Sequence, residues 1–419
     1  MTTQISAITG SKTIAIIGGG PAGLAAAEVL SQQGHQVTVY ESMPTVARKF
    51  LLAGKSGLNI THSEEYQQFR GRFGNASEHL APALDAFTPA DICTWAEELN
   101  IEIFTGSSGR VFPKRMKASP LLRNWLARLE SQGVTILKRH RWIGWRDNDL
   151  IFATTEGEII TQHDAVLLAL GGASWPRLGS DAGWVALLRE KNIDINALRA
   201  ANCGFDMQWS TIFTAGHAGA PVKSVAATSA AGRIEGEFVI SQHGIEGSLI
   251  YAHSAALRDE LQATGTAALT LDLTPGRSYE RLIRDLEKQG TKSSFSNRLR
   301  KATGLEGVKA ALLRELVPNI NQLSAPELSR HIKNIALPVL QTRPIAEAIS
   351  TAGGIVWSEI ANSYMLHKLP GTFVAGEMLD WEAPTGGYLL TACLATGRAA
   401  AHGISAWLEQ SDSHGNATK

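Results

Sequence analysis

Two short runs of apolar, β-branched residues flank an alanine-rich stretch near the start of the chain. Thr13 to Ile17 is the first run, and its continuous apolar character is typical of a strand buried on both faces. Pro21 to Gln33 has the composition of a helix, and Gly34 stands where a helix-terminating glycine is expected. Gln36 to Tyr40 is the second run. The pattern predicts a β-α-β unit.

The hydrophobic pattern changes twice along the rest of the chain. Strand-like alternation begins near residue 193, and residues 278–332 are charged, with apolar positions at helical spacing. Glycine-rich α/β character returns near residue 351, where a strand at Thr372 to Ala375 precedes a glycine turn and a helix that runs to about Leu408. We therefore predict an α/β fold with a Rossmann-like nucleotide domain that is split across both chain ends.

An inserted β domain and a helical subdomain complete the predicted organisation. The predicted boundaries are 1–192 and 351–410 for the two parts of the nucleotide domain, 193–277 and 333–350 for the β substrate domain, 278–332 for the helical insertion, and 411–419 for a disordered tail.

The turn after the first predicted strand carries the chemistry of the β-α-β unit. Gly18, Gly20 and Gly23 give G-x-G-x-x-G, in which the glycines permit a tight turn, a close approach of backbone to a pyrophosphate, and close packing of helix on strand. The helix that follows directs its N-terminal N–H groups at the phosphates. Glu41 ends the second strand, where a carboxylate can accept hydrogen bonds from ribose hydroxyls.

This unit alone does not distinguish FAD from NAD. The chain has no second complete G-x-G-x-x-G unit with its strand and acid, so a dedicated NAD domain is not predicted. A further strand–glycine–helix unit at Gly376 to Tyr388 instead indicates a single site closed from both ends of the chain. That pairing favours FAD.

Bulk composition narrows the function classes. The 419 residues have a formal net charge of zero, so we expect no nucleic-acid partner and no anionic-membrane anchor. Cys93, Cys203 and Cys393 form no C-x-x-C pair, which disfavours a metal or redox-disulfide site and fits a cytoplasmic protein. The polar segment 1–12 predicts no signal peptide. Leu389 to Leu408 is apolar but contains charged and glycine residues, so we expect a buried helix.

Two basic segments are candidate ligand contacts. The predicted loop from Ser42 to His62 alternates small residues with hydrogen-bond donors, which suits a path along a pyrophosphate and a flavin edge. The segment from Gly109 to Ser119 carries four basic side chains; a clamp for an anionic substrate and a plain surface loop are equally good interpretations. An RNA contact through these side chains is a third hypothesis, against which the zero net charge weighs. The four residues are Arg110, Lys114, Arg115 and Lys117.

Candidates for acid, base or substrate contacts are few. His62 follows the predicted flavin-side loop, and Tyr251 falls in the predicted β domain. Arg343 could bind a carboxylate bidentately or cap a helix. His253 and Glu359 are further candidates.

The order of motifs resembles the BaiN and aminoacetone oxidase-like bacterial flavoproteins of the glutathione-reductase-like FAD superfamily, as a divergent subfamily. The matching pieces include R-K-F-L-L-A-G-K-S-G-L-N (Arg48 to Asn59), G-R-V-F-P-K (Gly109 to Lys114), A-L-G-G-A-S-W-P (Ala169 to Pro176), H-G-I-E-G-S-L-I-Y (His243 to Tyr251) and A-G-E-M-L-D…T-G-G-Y (Ala375 to Tyr388). Many relatives carry Arg-Cys-Asn where this chain has Gly57-Leu58-Asn59, and Asn where it has Leu389.

The resemblance implies non-covalent FAD, with backbone at Trp142 meeting the adenine and the C-terminal glycine unit lining the ribityl chain and the flavin pyrimidine edge. The expected cofactor-binding residues are Gly18, Gly20, Pro21, Ala22, Gly23, Glu41, Ser42, Lys49, Ser56, Gly57, Asn59, Trp142, Gly171, Gly172, Gly376, Glu377, Gly386, Gly387, Tyr388 and Leu389.

These observations predict an FAD-dependent oxidoreductase that acts on a small organic molecule by hydride transfer to or from the flavin. The alternatives are an NAD(P)H-linked reductase of the enone-reducing type, with nicotinamide docking transiently, and a non-enzymatic flavin protein that contacts RNA. The predicted catalytic residues are His62, Tyr251 and Arg343, and no metal site is expected. The sequence does not identify the substrate or the oligomeric state.

Overall fold

The computed structural model describes residues 11–55, 57–289 and 293–416 of the chain. Three predictions fall at least partly outside the described residues. They concern Ser56, residues 1–10 of the segment for which no signal peptide is predicted, and residues 417–419 of the predicted tail. The chain divides into two compact units, unit 1 (Met1–Arg199 and Thr351–Lys419) and unit 2 (Ala200–Ser350).

The strands, in chain order, are β1 (Thr13–Ile17), β2 (Gln36–Glu41), β3 (Thr61–His62), β4 (Ile103–Thr105), β5 (Arg110–Pro113), β6 (Thr135–Lys138), β7 (Arg141–Arg146), β8 (Asp149–Thr154), β9 (Gly157–Thr161), β10 (Ala165–Leu168), β11 (Ile195–Ala201), β12 (Phe205–Asp206), β13 (Pro221–Ser229), β14 (Gly232–Ile240), β15 (Gly244–Glu246), β16 (Ala267–Asp272), β17 (Ile335–Val339), β18 (Gln341–Thr342), β19 (Ser350–Ile355) and β20 (Thr372–Val374).

The α-helices are α1 (Pro21–Gln32), α2 (Arg48–Ala53), α3 (Tyr66–Arg70), α4 (Ser77–Ala86), α5 (Pro89–Glu98), α6 (Ala118–Ser131), α7 (Trp184–Glu190), α8 (Thr211–His217), α9 (Ser248–Thr264), α10 (Tyr279–Glu287), α11 (Phe295–Thr303), α12 (Gly307–Leu316), α13 (Ala325–Lys333) and α14 (Tyr388–Asn416).

A parallel sheet with the order β20-β10-β1-β2-β6 forms the centre of unit 1. Strand β1 pairs with β2 on one side and β10 on the other, and β20 pairs with the far edge of β10. Residues of β1 are almost completely buried, as the continuous apolar run predicts for a strand with both faces covered. The predicted α/β fold, with a Rossmann-type sheet that uses both chain ends, is therefore confirmed.

Helices α1 and α14 pack closely on each other, which joins the two ends of the chain a second time. Gly397 makes this approach sterically accessible, because a Cβ at that position would lie 2.2 Å from the carbonyl oxygen of Ala22. The small residues of α1, including Ala26 and Ala27, are fully buried and bring the helix close to its neighbours. Residues from opposite ends of the chain, such as Ala22 and Gly397, are therefore in direct contact beside the carboxyl ends of the sheet strands.

A buried carboxylate ties α1 to two more helices. Glu28 is 2% exposed, and its side chain accepts hydrogen bonds from the indole N–H groups of Trp95 (3.1 Å) and Trp125 (2.9 Å) and from Arg128 Nη1 (2.9 Å). The two indole rings meet edge to face. A buried charge that is fully hydrogen-bonded in this way fixes the relative position of the three helices.

Unit 2 contains a seven-stranded sheet with the order β17-β16-β13-β14-β15-β12-β18, in which every neighbouring pair is antiparallel. Helix α9 lies within the segment for which the sequence predicts a β domain; its buried Leu249, Ile250, His253 and Leu257 follow helical spacing. Helices α10 to α13 fall in the predicted helical insertion. Their buried leucines share one core with the sheet, so they are not a separate body.

Helix α14 continues beyond the point where the sequence predicts disorder. It ends at Asn416, so the described part of the predicted disordered tail, residues 411–416, is helical. The hydroxyls of Ser411 and Ser413 donate to carbonyl oxygens one turn earlier, and Asp412 pairs with Lys12 at 2.6 Å. The polar residues of this segment therefore form the solvent-exposed end of a helix and do not indicate a disordered tail. Among the described residues, no helix combines the length and apolar character that crossing a membrane requires.

Replacing Glu28 with alanine should destabilise unit 1 strongly. The change leaves two indole N–H groups and a guanidinium without their buried acceptor, which costs about 3 to 5 kcal/mol. Urea unfolding followed by circular dichroism measures the loss. Glu98→Ala is the matched control: Glu98 lies 3.6 Å from the same arginine but is largely exposed, so its removal should cost less than about 1 kcal/mol. Equal losses in the two variants would contradict the buried network.

Candidate functional site

A cavity of about 350 Å³ lies in unit 1 at the carboxyl ends of β1, β2, β10 and β20. We call it the cleft. Its lining includes a residue at or shortly after the end of each of these strands: Gly18 after β1, Glu41 at the end of β2, Gly171 three residues after β10 and Gly376 two residues after β20. Open parallel sheets bind ligands in the crevice beyond the carboxyl ends of their strands, so the position itself marks a binding site.

The N-terminus of α1 opens into the cleft. Pro21 is the first helical residue, and Gly20 is the N-cap in extended conformation, with no side chain capping the free N–H groups and no acidic residue in the first turn. An uncapped helix N-terminus presents backbone donors and a partial positive charge, which together favour an anion. Both Gly20 and Pro21 line the cleft.

The three motif glycines have different reasons to be glycine. A Cβ at Gly18 would lie 2.3 Å from the carbonyl oxygen of Ala169, and one at Gly23 would lie 2.0 Å from the carbonyl oxygen of Gly18. Gly20 has no protein atom within 4 Å of such a Cβ. Gly18 and Gly23 are therefore required by protein packing, whereas the small size of Gly20 matters only for something that enters the cleft.

Glu41 is held rigidly at the end of β2. One carboxylate oxygen accepts from Gly19 N (3.0 Å) and the other from Met43 N (2.8 Å). Burial raises the pKa of Glu41, and the hydrogen bonds from Met43 and Gly19 oppose that rise. The carboxylate keeps further lone pairs that can accept hydrogen bonds from hydroxyl groups of a ligand.

An ion pair joins residues from both chain ends inside the cleft. Lys49 Nζ on α2 donates to Glu377 Oε2 after β20 (2.7 Å) and to Ser174 Oγ after β10 (2.6 Å). The second oxygen of Glu377 accepts from Thr351 N (3.1 Å). The lysine therefore offsets the carboxylate charge, which would otherwise oppose binding of an anion in the cleft.

Cys393 also lines the cleft, on the first turns of α14. Burial raises the pKa of the Cys393 thiol to about 12, so the group is protonated and neutral near neutral pH. A protonated thiol is a weak nucleophile. It adds apolar surface to the site and no charge.

The cleft brings together many of the predicted cofactor-binding residues: Gly18, Gly20, Pro21, Ala22, Glu41, Ser42, Lys49, Trp142, Gly171, Gly376 and Glu377. The other described members of the predicted set lie outside its lining: Gly23, Gly57, Asn59, Gly172, Gly386, Gly387, Tyr388 and Leu389. Gly23 supports the packing of α1 on the turn, and Gly172 packs against Thr351. Ser56 is outside the described residues.

The N-terminus of α14 forms a second cluster, in which Tyr388 is the central side chain. The Tyr388 hydroxyl donates to Glu64, whose carboxylate also accepts from Arg72 Nη2 (2.5 Å) and Nε (3.1 Å). Burial raises the pKa of the Tyr388 hydroxyl well above its ordinary value. Gly387 lies directly against the backbone of Thr61, where a Cβ would come within 2.5 Å of the Thr61 Cα. The start of α14 is thus locked onto β3.

His62 stacks on the ring of Tyr388, with centroids 5.5 Å apart. Its Nε2 lies 3.0 Å from the carbonyl oxygen of Ser108, and its Nδ1 lies 3.1 Å from the backbone N–H of Glu64. With these partners, Nε2 is placed as the donor and Nδ1 as the acceptor. Both nitrogens are engaged by backbone, so the geometry gives His62 a structural role and leaves no nitrogen available as a base.

The other predicted catalytic residues lie in unit 2. Arg343 donates to Asp206 Oδ1 (2.9 Å) and, through two nitrogens, to Glu347, so its guanidinium is already paired with carboxylates of this chain. Tyr251 lies on α9, where burial raises its pKa. The contacts of Arg343 and Tyr251 do not contradict a role in binding substrate, so the catalytic roles of these two residues stay predictions.

Two further candidates from the sequence are buried. The His253 ring is fully buried, with Nδ1 2.7 Å from Ser229 Oγ. Glu359 pairs with Lys368 at 2.6 Å and accepts from Asp194 N. The contacts of Glu359 account for it as part of the fold, whereas His253 Nε2 is buried without a hydrogen-bond partner among the described residues.

Sequence reasoning missed part of the cleft lining. The missed residues are His140, Arg141, Ser180, Asp181 and Trp184, and Arg48 was noted only as part of a basic loop. They belong to the segments that follow β6 and β10, so the ends of those two predicted strands were the available signal. Among the described residues, three buried polar atoms of the lining have no hydrogen-bond partner: Arg48 Nε, Trp142 Nε1 and Ser180 Oγ.

Comparison with known proteins gives a match over nearly the whole chain. The sequence profile described as the HI0933-like protein Rossmann domain matches residues 12–403. A ribosomal RNA dihydrouridine synthase of Haemophilus influenzae is 23% identical over 385 residues, which are 89% of this chain and 93% of that protein. The beta subunit of the NADP(+)-dependent formate dehydrogenase of Moorella thermoacetica is 47% identical over 51 residues, or 12% of this chain and 7% of that one.

A solved structure with a similar fold is the 3-ketosteroid delta1-dehydrogenase of Sterolibacterium denitrificans. It superimposes with a TM-score of 0.53 at 11% identity and covers 94% of this chain and 100% of its own. At that identity the likeness concerns the fold alone.

The glycine geometry predicts stability losses of different size for two substitutions in the ligand-free protein. Gly23→Ala forces a Cβ against the Gly18 carbonyl and should cost about 2 to 3 kcal/mol. Gly20→Ala meets open space at an ordinary backbone conformation, so it should cost less than about 1 kcal/mol, the usual N-cap preference of glycine over alanine. Thermal unfolding of the two apoproteins measures the difference. A Gly20 variant that unfolds as early as the Gly23 variant would disprove the assignment.

Proposed function

The chain belongs to the HI0933-like family of FAD-dependent Rossmann proteins, and from that premise we propose that it is an FAD-dependent oxidoreductase. Membership agrees with the resemblance found in the sequence. The proposed substrate is a small organic molecule that exchanges a hydride with the flavin. FAD binds non-covalently in the cleft and at the start of α14.

The observation that carries the proposal is the combination of the uncapped α1 N-terminus with the open space beside Gly20. Both fit a diphosphate, since the helix offers unpaired N–H donors and the glycine leaves room for phosphate oxygens. Glu41 stands at the neighbouring strand end, where the ribose of an adenosine would offer hydroxyl donors. The unpartnered polar atoms of Trp142 and Ser180 also fit a ligand with many acceptors.

Each part of the site then has a defined task. Backbone N–H groups at the start of α1 bind the diphosphate, and Glu41 accepts from the ribose. Backbone at Trp142 contacts the adenine, and residues around Gly376 line the ribityl chain. Bound FAD would supply hydride transfer through its isoalloxazine ring.

The start of α14 is the proposed electrostatic partner of the flavin. Gly387 and Leu389 are near the N-terminus of this helix, whose free N–H groups and dipole stabilise negative charge. The hydrogen bonds from Tyr388 and Arg72 to Glu64 hold this helix end in place and therefore keep the donors oriented. The Lys49–Glu377 pair contributes a balanced charge in the middle of the cleft.

A second candidate function is an NAD(P)H-driven reductase that reduces an enone-type double bond. The double bond of an RNA base is one possible substrate of this kind. The relative from Haemophilus influenzae favours it, because its name describes a synthase of dihydrouridine in ribosomal RNA. Within unit 1, Arg115 and Lys117 are exposed between β5 and α6, and Lys114 pairs with Glu102 at 2.9 Å. An exposed basic segment suits contact with phosphates even where the whole chain is neutral.

Gly20→Val should abolish FAD binding while the chain still folds. The branched side chain would occupy the space assigned to the diphosphate, which should weaken binding at least about 100-fold, or about 3 kcal/mol. Flavin absorbance per chain after gel filtration with FAD measures the result, and circular dichroism reports folding. Wild-type protein without flavin after this treatment would refute the proposed function; a folded variant with full FAD content would refute the assigned diphosphate position.

The two candidate functions separate in one anaerobic experiment. FAD-loaded protein is mixed with NADPH or NADH and then with ribosomal RNA, and reduced bases are found by mass spectrometry as a gain of two hydrogens. If RNA is the substrate, Arg115→Glu combined with Lys117→Glu should lower RNA affinity about tenfold and flatten its salt dependence. The pair Arg146→Glu and Arg189→Glu, on other exposed segments, is the control. If no reduced base is found and the variants bind RNA as tightly as the wild type, the RNA function is contradicted and the small-molecule function is retained.

A further inference from the structure

The chain between β10 and α7 crosses the carboxyl edge of the parallel sheet. We call residues 175–184 the strap. It begins beyond Gly171, the third residue after β10. Its Gly179 lies against Met43, just after β2: a Cβ at Gly179 would be 2.9 Å from Met43 Cγ. The strap therefore passes from the end of one strand to the end of another, over the turn of the glycine motif between them.

Three contacts hold the strap in this position. Trp184 Nε1 donates to Gly171 O (2.9 Å), and the backbone N–H of Ala182 donates to Gly172 O (3.2 Å). Arg141 donates to Asp181 Oδ2 (2.8 Å), which ties the strap to β7. A segment fixed at both sides of the cleft has little freedom to move its inner side chains away.

Ser180 is the polar side chain that the strap buries toward the cleft. The residue is 7% exposed, lines the cleft, and lies beside Gly171, where a Cβ would come within 3.2 Å of Ser180 Oγ. The hydroxyl has no hydrogen-bond partner among the described residues. Buried hydroxyls are almost always paired, so an unpaired one in a ligand cleft indicates a group that the ligand satisfies.

A second buried donor in the same lining points to the same conclusion. Trp142 is 6% exposed, and its indole N–H also lacks a partner in the described part of the chain. Trp142 lies on β7, shortly after the β6 that pairs with β2, and Ser180 adjoins Gly179, which packs against Met43 just after β2. These contacts connect both residues to the side of the cleft where β2 ends at Glu41. This is the side at which the site places the adenosine and its adjoining phosphates.

We propose that the Ser180 hydroxyl is a binding group for the adenosine diphosphate half of FAD, held over that half by the strap. The proposal rests on the proposed function and adds a residue and a subsite to it. Ser180 donates to a phosphate or ribose oxygen, and the strap covers this end of the cofactor. Ligands that contain adenosine diphosphate therefore gain from Ser180, whereas FMN, which lacks the adenosine, does not.

The test compares Ser180→Ala with the wild-type apoprotein by calorimetric titration of FAD, ADP and FMN. Loss of one hydrogen bond should weaken FAD and ADP about three- to tenfold and leave FMN unchanged. Ser77→Ala is the matched control: its hydroxyl is also buried without a described partner, but Ser77 lies on α4 and is not part of the cleft lining. All three affinities should be unchanged in that variant.

Each result decides the proposal separately from the function. Wild-type protein that binds no FAD refutes the proposed function before any variant is measured. If wild-type protein binds FAD and Ser180→Ala binds FAD and ADP equally well, Ser180 is not a binding group. If Ser180→Ala weakens FMN binding as much as FAD binding, the substitution acts on the flavin half or on folding. An effect on folding would also lower the unfolding temperature of the variant apoprotein. Either result overturns the assigned subsite.

Discussion

The parallel pairing of β20 with β10 is the constraint on which the site depends. It adds the C-terminal part of the chain to the sheet begun by β1 and places Gly376 and Glu377 at the same carboxyl edge as Gly18 and Glu41. The packing of α14 on α1 strengthens this arrangement. The Lys49–Glu377 ion pair then forms between segments more than three hundred residues apart. Without the pairing of the two ends, neither the cleft nor its charge balance would exist.

Local pattern was sufficient to predict the half of the site that is built from one continuous segment. The run from Thr13 to Glu41 contains its strands, its helix and its glycine turn in sequence order, and each has the expected place in the structure. The C-terminal glycine unit was recognisable for the same reason. The assignment of α14 to a buried helix also follows from its composition, although the polar end of that helix resembled a disordered tail.

The remainder depends on contacts that sequence spacing does not reveal. The position of His62 after the flavin-side loop suggests a base, but backbone groups of Glu64 and Ser108 engage both of its ring nitrogens, which sequence spacing does not reveal. Glu28 gave no signal, because its partners lie on two distant helices. The strap is not predictable from the sequence, where it is visible only as a glycine-containing segment after a strand. The burial of Ser180 depends on where that segment crosses the sheet.

The most direct test is a crystal structure of the chain grown with FAD. We expect the diphosphate at the N-terminus of α1 beside Gly20, the ribose hydroxyls at Glu41, and the isoalloxazine ring extending past Gly376 toward the start of α14. FAD bound in the reverse direction, or at a site outside the cleft, would contradict the account that the two ends of the chain together build one cofactor site.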